Sequence, residues 1–184
     1  ADLGTDQLNI FDLKNGNLIP AKQPFVKLPP GSGPRHFDFH PNTDIIYVIN
    51  ELNSTISVID KNGLKREVVQ TISTLPENFS GTSYCADIHV SADGKYVYGS
   101  NRGHNSIAVF KTDPISKQLK FITTISTQGE WPRNFSLSAD GKFLLVANQH
   151  SGNIVVFNMN TETGIPEYSG KELKLPAPVC LEFL

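Results

Sequence analysis

Cysteine is scarce in this 184-residue chain, which carries two, Cys85 and Cys180. That is too few for a disulfide scaffold, and no CxxC spacing points to zinc or redox chemistry, so both are expected as reduced thiols. Charge of one sign is also lacking: 16 Lys plus Arg stand against 18 Asp plus Glu, a net charge of −2. This balance removes the electrostatic basis for nonspecific nucleic-acid binding. No apolar run approaches the roughly 20 residues of a membrane helix, and the opening ADLGTDQLNIF has neither the basic nor the apolar region of a signal peptide. Neither nucleic acid nor membrane is therefore expected as a partner, and the cytoplasm is the expected location.

Several chemical motifs are missing as well. The run GSGPRH has His36 where the third glycine of a dinucleotide fingerprint would stand, and Pro34 opens a strand pattern where a helix should begin. There is no Walker loop, no HExxH and no GxSxG elbow. Asn53, Asn78 and Asn134 head Asn-x-Ser/Thr triplets that read as chance without a secretory signal. Asp87 and His89 stand at strand spacing i, i+2 but lack a third ligand, so neither a metal nor another cofactor is expected.

What is present is a repeat. With 39% hydrophobic residues, 11 Phe and 5 Tyr, the chain is rich enough to build a core. Three segments align without gaps: PRHFDFHPNTDIIYVINELNSTISVID from Pro34, CADIHVSADGKYVYGSNRGHNSIAVFK from Cys85, and PRNFSLSADGKFLLVANQHSGNIVVFN from Pro132. A fourth copy is split, its second half in DLGTDQLNIFD from Asp2 and its beginning in PVCLEF from Pro178. Taking Asp2, Asn50, Asn101 and Asn148 as equivalent, the steps are 48, 51 and 47 residues, a propeller-like period.

Within each unit, short runs rich in Ile, Val, Phe and Tyr alternate with turn residues, a strand pattern with no competing helix. Asp93-Gly94 and Asp140-Gly141 supply residues that tolerate φ > 0 in a tight hairpin. Four strands per unit follow, the last one polar, as in LKREVVQTIST, KQLKFITTIST and IPEYSGKELKL. Its charges suit a solvent-facing edge that must resist pairing. The expected fold is all-β, a propeller of four-stranded antiparallel blades. The expected boundaries are a partial blade over 1–30, blades over 33–75, 84–128 and 131–175, and the first strand of a closing blade over 177–184.

Blade topology also locates the chemistry. The start of strand one and the end of strand two meet at one mouth of the central channel. The start position carries Arg35, Ala86, Arg133 and Val179, and the end position Leu3, Glu51, Arg102 and Gln149. The position two residues into strand one stays apolar (Phe37, Ile88, Phe135, Leu181) and is expected in the core. The rim positions vary in charge, as an asymmetric ligand pocket requires. Arginines facing a concave channel suit a phosphate or carboxylate. Glu51 is either a general base toward water or the ion-pair partner of Arg35 or Arg102. His36 is the histidine best placed for proton transfer, although strand alternation is expected to turn it away from Arg35, which favours a hydrogen-bonded structural role.

The runs GPRHFDFHPN, YVINELNSTISV, LPENFSGTSYCADIHVSADGKYVYGSNRG, WPRNFSLSADGKFLLVANQ and PAPVCLEF resemble the seven-bladed β-propeller lactonase family over essentially the whole chain. The NEL, PENFS, ADIH and NRG elements separate it from WD40 and kelch repeats. The resemblance implies hydrolysis of 6-phospho-D-glucono-1,5-lactone to 6-phosphogluconate in the oxidative pentose phosphate pathway, in the cytosol and without a required metal. A lactonizing relative combines a His, two Arg and a Glu at its rim. The Arg of GPRH matches Arg35, the Glu of NEL matches Glu51, and the Arg of NRG matches Arg102. The matching His belongs to a preceding first strand that this chain does not contain. Family members are about twice as long, so the resemblance implies the C-terminal half of a seven-bladed ring.

On this reading Arg35 and Arg102 act as catalytic groups with Glu51 positioning water. Arg133 and His36 join Arg35 and Arg102 in binding a sugar-phosphate lactone. Oxyanion stabilisation is expected to supply on the order of 3 kcal/mol per donor. The rivals are a noncatalytic interaction module, since fold does not fix function, and a muconate-type cycloisomerase. For the incomplete ring three outcomes stay open: a missing N-terminal half, self-association of two chains, or closure of the split blade into a four-bladed ring.

Overall fold

The computed structural model describes residues 1–62 and 65–183, among which there are fourteen strands and no α-helix. β1 (Gln7–Lys14) and β2 (Asn17–Lys27) form a two-stranded sheet. β3 (Pro34–Phe39), β4 (Ile46–Asn50), β5 (Thr55–Asn62) and β6 (Lys65–Ser73) form the first full blade. β7 (Tyr84–Val90), β8 (Tyr96–Arg102), β9 (Ser106–Thr112) and β10 (Leu119–Ser126) form the second. β11 (Pro132–Leu137), β12 (Phe143–Asn148), β13 (Asn153–Met159) and β14 (Pro166–Lys174) form the third. Each full blade is an antiparallel meander in sequence order, the fold expected from the repeat. Gly63, Leu64 and Leu184, which the expected boundaries include, lie outside the described residues.

β4 and β8 are buried on both faces because their blades are packed between neighbours, whereas β12 of the third blade keeps Phe143 exposed. In β4, Tyr47 and Ile49 join Cys85, Ile88, Val97 and Phe110 of the second blade. The alternate residues Ile46 and Val48 join Leu8 and Val26 of the two-stranded sheet and Leu28 just after it. An equivalent core of Tyr98, Val109, Phe135, Val146 and Phe157 joins blades two and three. Period-two alternation thus gives one strand two cores, and the run reads as continuously apolar.

Two expectations need correction. Phe37 is 43% exposed, whereas its repeat equivalents Ile88 and Phe135 are buried. It pairs with Val48 and faces the two-stranded sheet, which has no inner strand to cover it. Residues 177–183 form no strand, since no neighbour from their own blade pairs with them. They nonetheless lie against the third blade, where Leu181 N–H donates to Asn134 Oδ1 at 2.6 Å. Among the described residues β1 pairs only with β2, so the split blade is not closed there into a four-bladed ring.

The entry into β3 is built tightly. Asp6 accepts hydrogen bonds from the N–H groups of Gly31 and Gly33, each 2.7 Å long. Gly33 adopts φ +60°, and a Cβ there would stand 2.4 Å from Leu52 Cγ. The glycines that fail as a nucleotide loop therefore serve to deliver Pro34 and Arg35 to the rim.

Candidate active site

The rim carboxylate joins two arginines from two blades. Glu51 follows the end of β4, and its Oε2 lies 3.2 Å from Arg35 Nε on β3 of the same blade. Its Oε1 lies 2.9 Å from Arg102 Nη2, at the end of β8 in the next blade. Of the two roles left open for Glu51, ion pairing is the one the geometry displays, with both partners at once.

Arg102 is deeply held. Its Nη2 donates to Cys85 O at 2.8 Å, and its side chain is 7% exposed. The guanidinium lies 5.4 Å from the centroid of the Trp131 ring, close enough for a cation–π contact. Trp131 in turn stacks on His150, with ring centroids 4.6 Å apart and planes 11° from parallel. Trp131 has φ 64°, an outlier for a bulky residue, anchored by a 2.9 Å bond from its N–H to Asn105 Oδ1.

Arg35 donates through Nη1 to Ala86 O in the next blade. Burial and the nearby charge of Arg102 press its guanidinium below the ordinary value, against the pull of Glu51. It remains a cation at any pH of interest. Arg133 adds to that repulsion yet makes its own contact with Gln149, Nη1 to Oε1 at 3.4 Å, and not with Glu51.

His36 and Arg35 are not turned apart. The β3–β4 register shifts between Pro34 and His36, so Arg35 falls at a bulge and simple alternation fails there. Arg35 Nη1 consequently reaches 3.1 Å from His36 Nε2. The expected hydrogen-bonded role of His36 is seen: its Nδ1 lies 2.7 Å from Asp87 Oδ1 on the second blade.

Asp87 is the residue that sequence reasoning considered only as a metal ligand. Its side chain is 4% exposed, and it accepts further bonds from Ile88 N–H, Asn134 Nδ2 and Phe135 N–H. His89 Nε2 stands 3.4 Å from Oδ2 without hydrogen-bond alignment. Burial pushes the carboxyl up, but contacts with His36 and His89 outweigh it and hold Asp87 well below the usual carboxylate range. For His89, burial works against the charge, yet Asp87 and Asp38 raise its affinity for a proton. His36, Asp87 and Asn134 occupy one repeat position, the third of the aligned segments, and form a hydrogen-bonded belt across three blades. The signal was their shared register with unlike polar chemistry.

Arg35, His36, Asp87 and His89 line a cavity of about 350 Å³ along the inner strands. Among the described residues no group of three His, Cys, Asp or Glu side chains is placed to hold a metal ion. Cys85 is buried, and burial pushes its thiol up to about 12, which removes it as a nucleophile.

At the junction of the first two full blades the segment thus gathers two arginines, a carboxylate and a histidine. The family model described as "Lactonase, 7-bladed beta-propeller" matches residues 1–183, and the chain belongs to that family. It is 38% identical to the 6-phosphogluconolactonase of Bacillus subtilis over all of this chain and 52% of the relative. Among solved structures, it superposes on the periplasmic gluconolactonase PpgL of Pseudomonas aeruginosa with a TM-score of 0.92 and 32% identity, over 99% of this chain and 52% of the other. A Lactobacillus plantarum protein superposes with a TM-score of 0.93 at 29% identity, over 100% of this chain and 54% of the other. The chain thus spans about half the length of the relatives it matches.

Proposed function

We propose that this rim is the active site of a carboxylic ester hydrolase that opens a sugar lactone, with 6-phospho-D-glucono-1,5-lactone as substrate and 6-phosphogluconate as product. The observation that carries this reading is the Arg35–Glu51–Arg102 bridge at the channel mouth. It sets two guanidinium groups side by side and removes their freedom to point elsewhere. One is suited to hold the phosphate and the other to polarise the lactone carbonyl, where charge develops on oxygen as water adds. Arg133, in contact with Gln149, is the further cation for the phosphate. Glu51 has both oxygens committed to arginine, so its part is to aim them. The relatives named 6-phosphogluconolactonase support the phosphorylated substrate; with that substrate goes, as part of the proposal, a place in the oxidative pentose phosphate pathway, in the cytoplasm.

The periplasmic gluconolactonase at 32% identity favours a second reading, in which the substrate is the unphosphorylated lactone. Ring opening measured on the native gene product with both lactones separates the two. A preference of at least tenfold in kcat/KM for the phosphorylated lactone supports the first reading, and equal or reversed rates support the second. No hydrolysis of either overturns the lactonase assignment and leaves a noncatalytic module or a cycloisomerase.

A further inference from the structure

We propose that His36, held by Asp87, is the base that takes the proton from the attacking water. This rests on the lactonase reading and assigns it the group that Glu51 cannot be.

The tautomer follows from the partners. Asp87 is buried, ionised and already accepting from Ile88, Asn134 and Phe135, so it accepts from His36 rather than donating. At 2.7 Å the proton of the neutral ring therefore sits on Nδ1, and Nε2 keeps its lone pair. Arg35 does not consume that lone pair. Its Nη1 is 3.1 Å from Nε2 and 3.4 Å from Nδ1, and no in-plane approach reaches both nitrogens without striking the carbon between them. The guanidinium lies across the ring face. The ring is 44% exposed on the wall of the 350 Å³ cavity, whereas its orienting carboxylate is 4% exposed. An accessible imidazole backed by a buried carboxylate is the orientation a base needs.

The step balances without a co-reactant. Water oxygen adds to the lactone carbonyl carbon while Nε2 takes one of its protons, giving an imidazolium and a tetrahedral oxyanion beside Arg35. Collapse breaks the bond from the carbonyl carbon to the ring oxygen, and the imidazolium returns its proton to that oxygen. The product is the ring-opened hydroxy acid, which releases its carboxyl proton to solvent.

The groups around His36 that carry or change charge are Arg35 and Asp38 on β3, Asp87 and His89 on β7 and the Ala1 amine on the same cavity wall, with Glu51 and Arg102 beyond Arg35. The test is His36→Gln in the native gene product, with kcat, KM and the pH profile of lactone opening. Expected are a kcat lower by about 10²- to 10⁴-fold, a KM within about threefold, and loss of the acid limb of kcat/KM. Turnover within twofold of the unaltered protein, or an unchanged acid limb in the variant, overturns the proposal. Nitrogen-15 spectra of the unaltered protein give a check independent of turnover: His36 protonated on Nδ1 supports it, and the proton on Nε2 overturns it. If the unaltered protein opens no lactone, the lactonase reading itself falls and the role of His36 with it.

Discussion

Glu51 Oε1 and Arg102 Nη2 lie 2.9 Å apart across the boundary between adjacent blades, so a carboxylate from one repeat fixes a guanidinium from the next. Because Glu51 also holds Arg35, Glu51→Gln is expected to leave two cations facing one another with their common counter-charge gone. Loss of charge-assisted bonds of this kind costs about 1.5–3 kcal/mol. Steady-state kinetics on the variant are expected to show kcat/KM reduced at least tenfold, with KM raised because the arginines are no longer aimed. Kinetics indistinguishable from the unaltered protein would exclude the bridge from the site.

Trp131 also contacts the Arg102 guanidinium. Trp131→Ala removes both the cation–π contact and the stack on His150. The contact is worth about 0.5–2 kcal/mol, so kcat/KM is expected to fall by about threefold to thirtyfold, with Trp131→Phe recovering most of it. Equal losses in the two variants would show that the ring's cation contact is not what matters.

Asp87 links stability to pH. Its pKa is depressed from the ordinary 3.8, so its contribution is present above that value and lost as pH falls through the lower folded-state value. His89 is raised above 6.5, so its contribution is full below that pH and declines as pH rises through the folded-state value. Thermal melts are expected to show greatest stability between these limbs. Asp87→Asn should flatten the acid limb, and Asp87→Ala should cost about 3–5 kcal/mol by stranding its partners. An acid limb unchanged in Asp87→Asn would place the titration elsewhere.

The buried asparagines at or next to the ends of the second strands, Asn50, Asn101 and Asn148, hold hydrogen-bond networks. Asn101 is fully buried; its amide donates to Thr74 O and Ser106 Oγ, and its carbonyl accepts from Thr74 Oγ1. Asn101→Leu strands those groups and is expected to cost about 1–3 kcal/mol per unpaired partner. Chemical denaturation measures it, and a loss under about 0.5 kcal/mol, the range of an ordinary surface change, would contradict the role.

These asparagines show how much was legible in the sequence. Their 47–51-residue spacing and the Asp-Gly turns define the blades, because a repeat writes its own period into the chain. Arg35, Glu51 and Arg102 were visible as charge breaks in that register. The His36–Asp87 contact was hidden by the bulge at Arg35, since period-two alternation assumes an unbroken ladder. Asp87's several partners come from two neighbouring blades, and only packing shows that equivalent positions touch. Trp131, the single tryptophan, gave no hint of its left-handed backbone. Phe37 matched its core equivalents by pattern but not in burial, because its cover depends on a neighbouring inner strand.

The most direct measurement is kcat/KM for opening of 6-phospho-D-glucono-1,5-lactone by the native gene product and by its Arg35→Ala variant. Arg35 is assigned as a donor to developing negative charge, and loss of such a donor lowers turnover by about 10²- to 10³-fold. The account predicts measurable hydrolysis in the unaltered protein and a fall of that size in the variant. Hydrolysis by the variant within twofold of the unaltered protein would contradict it.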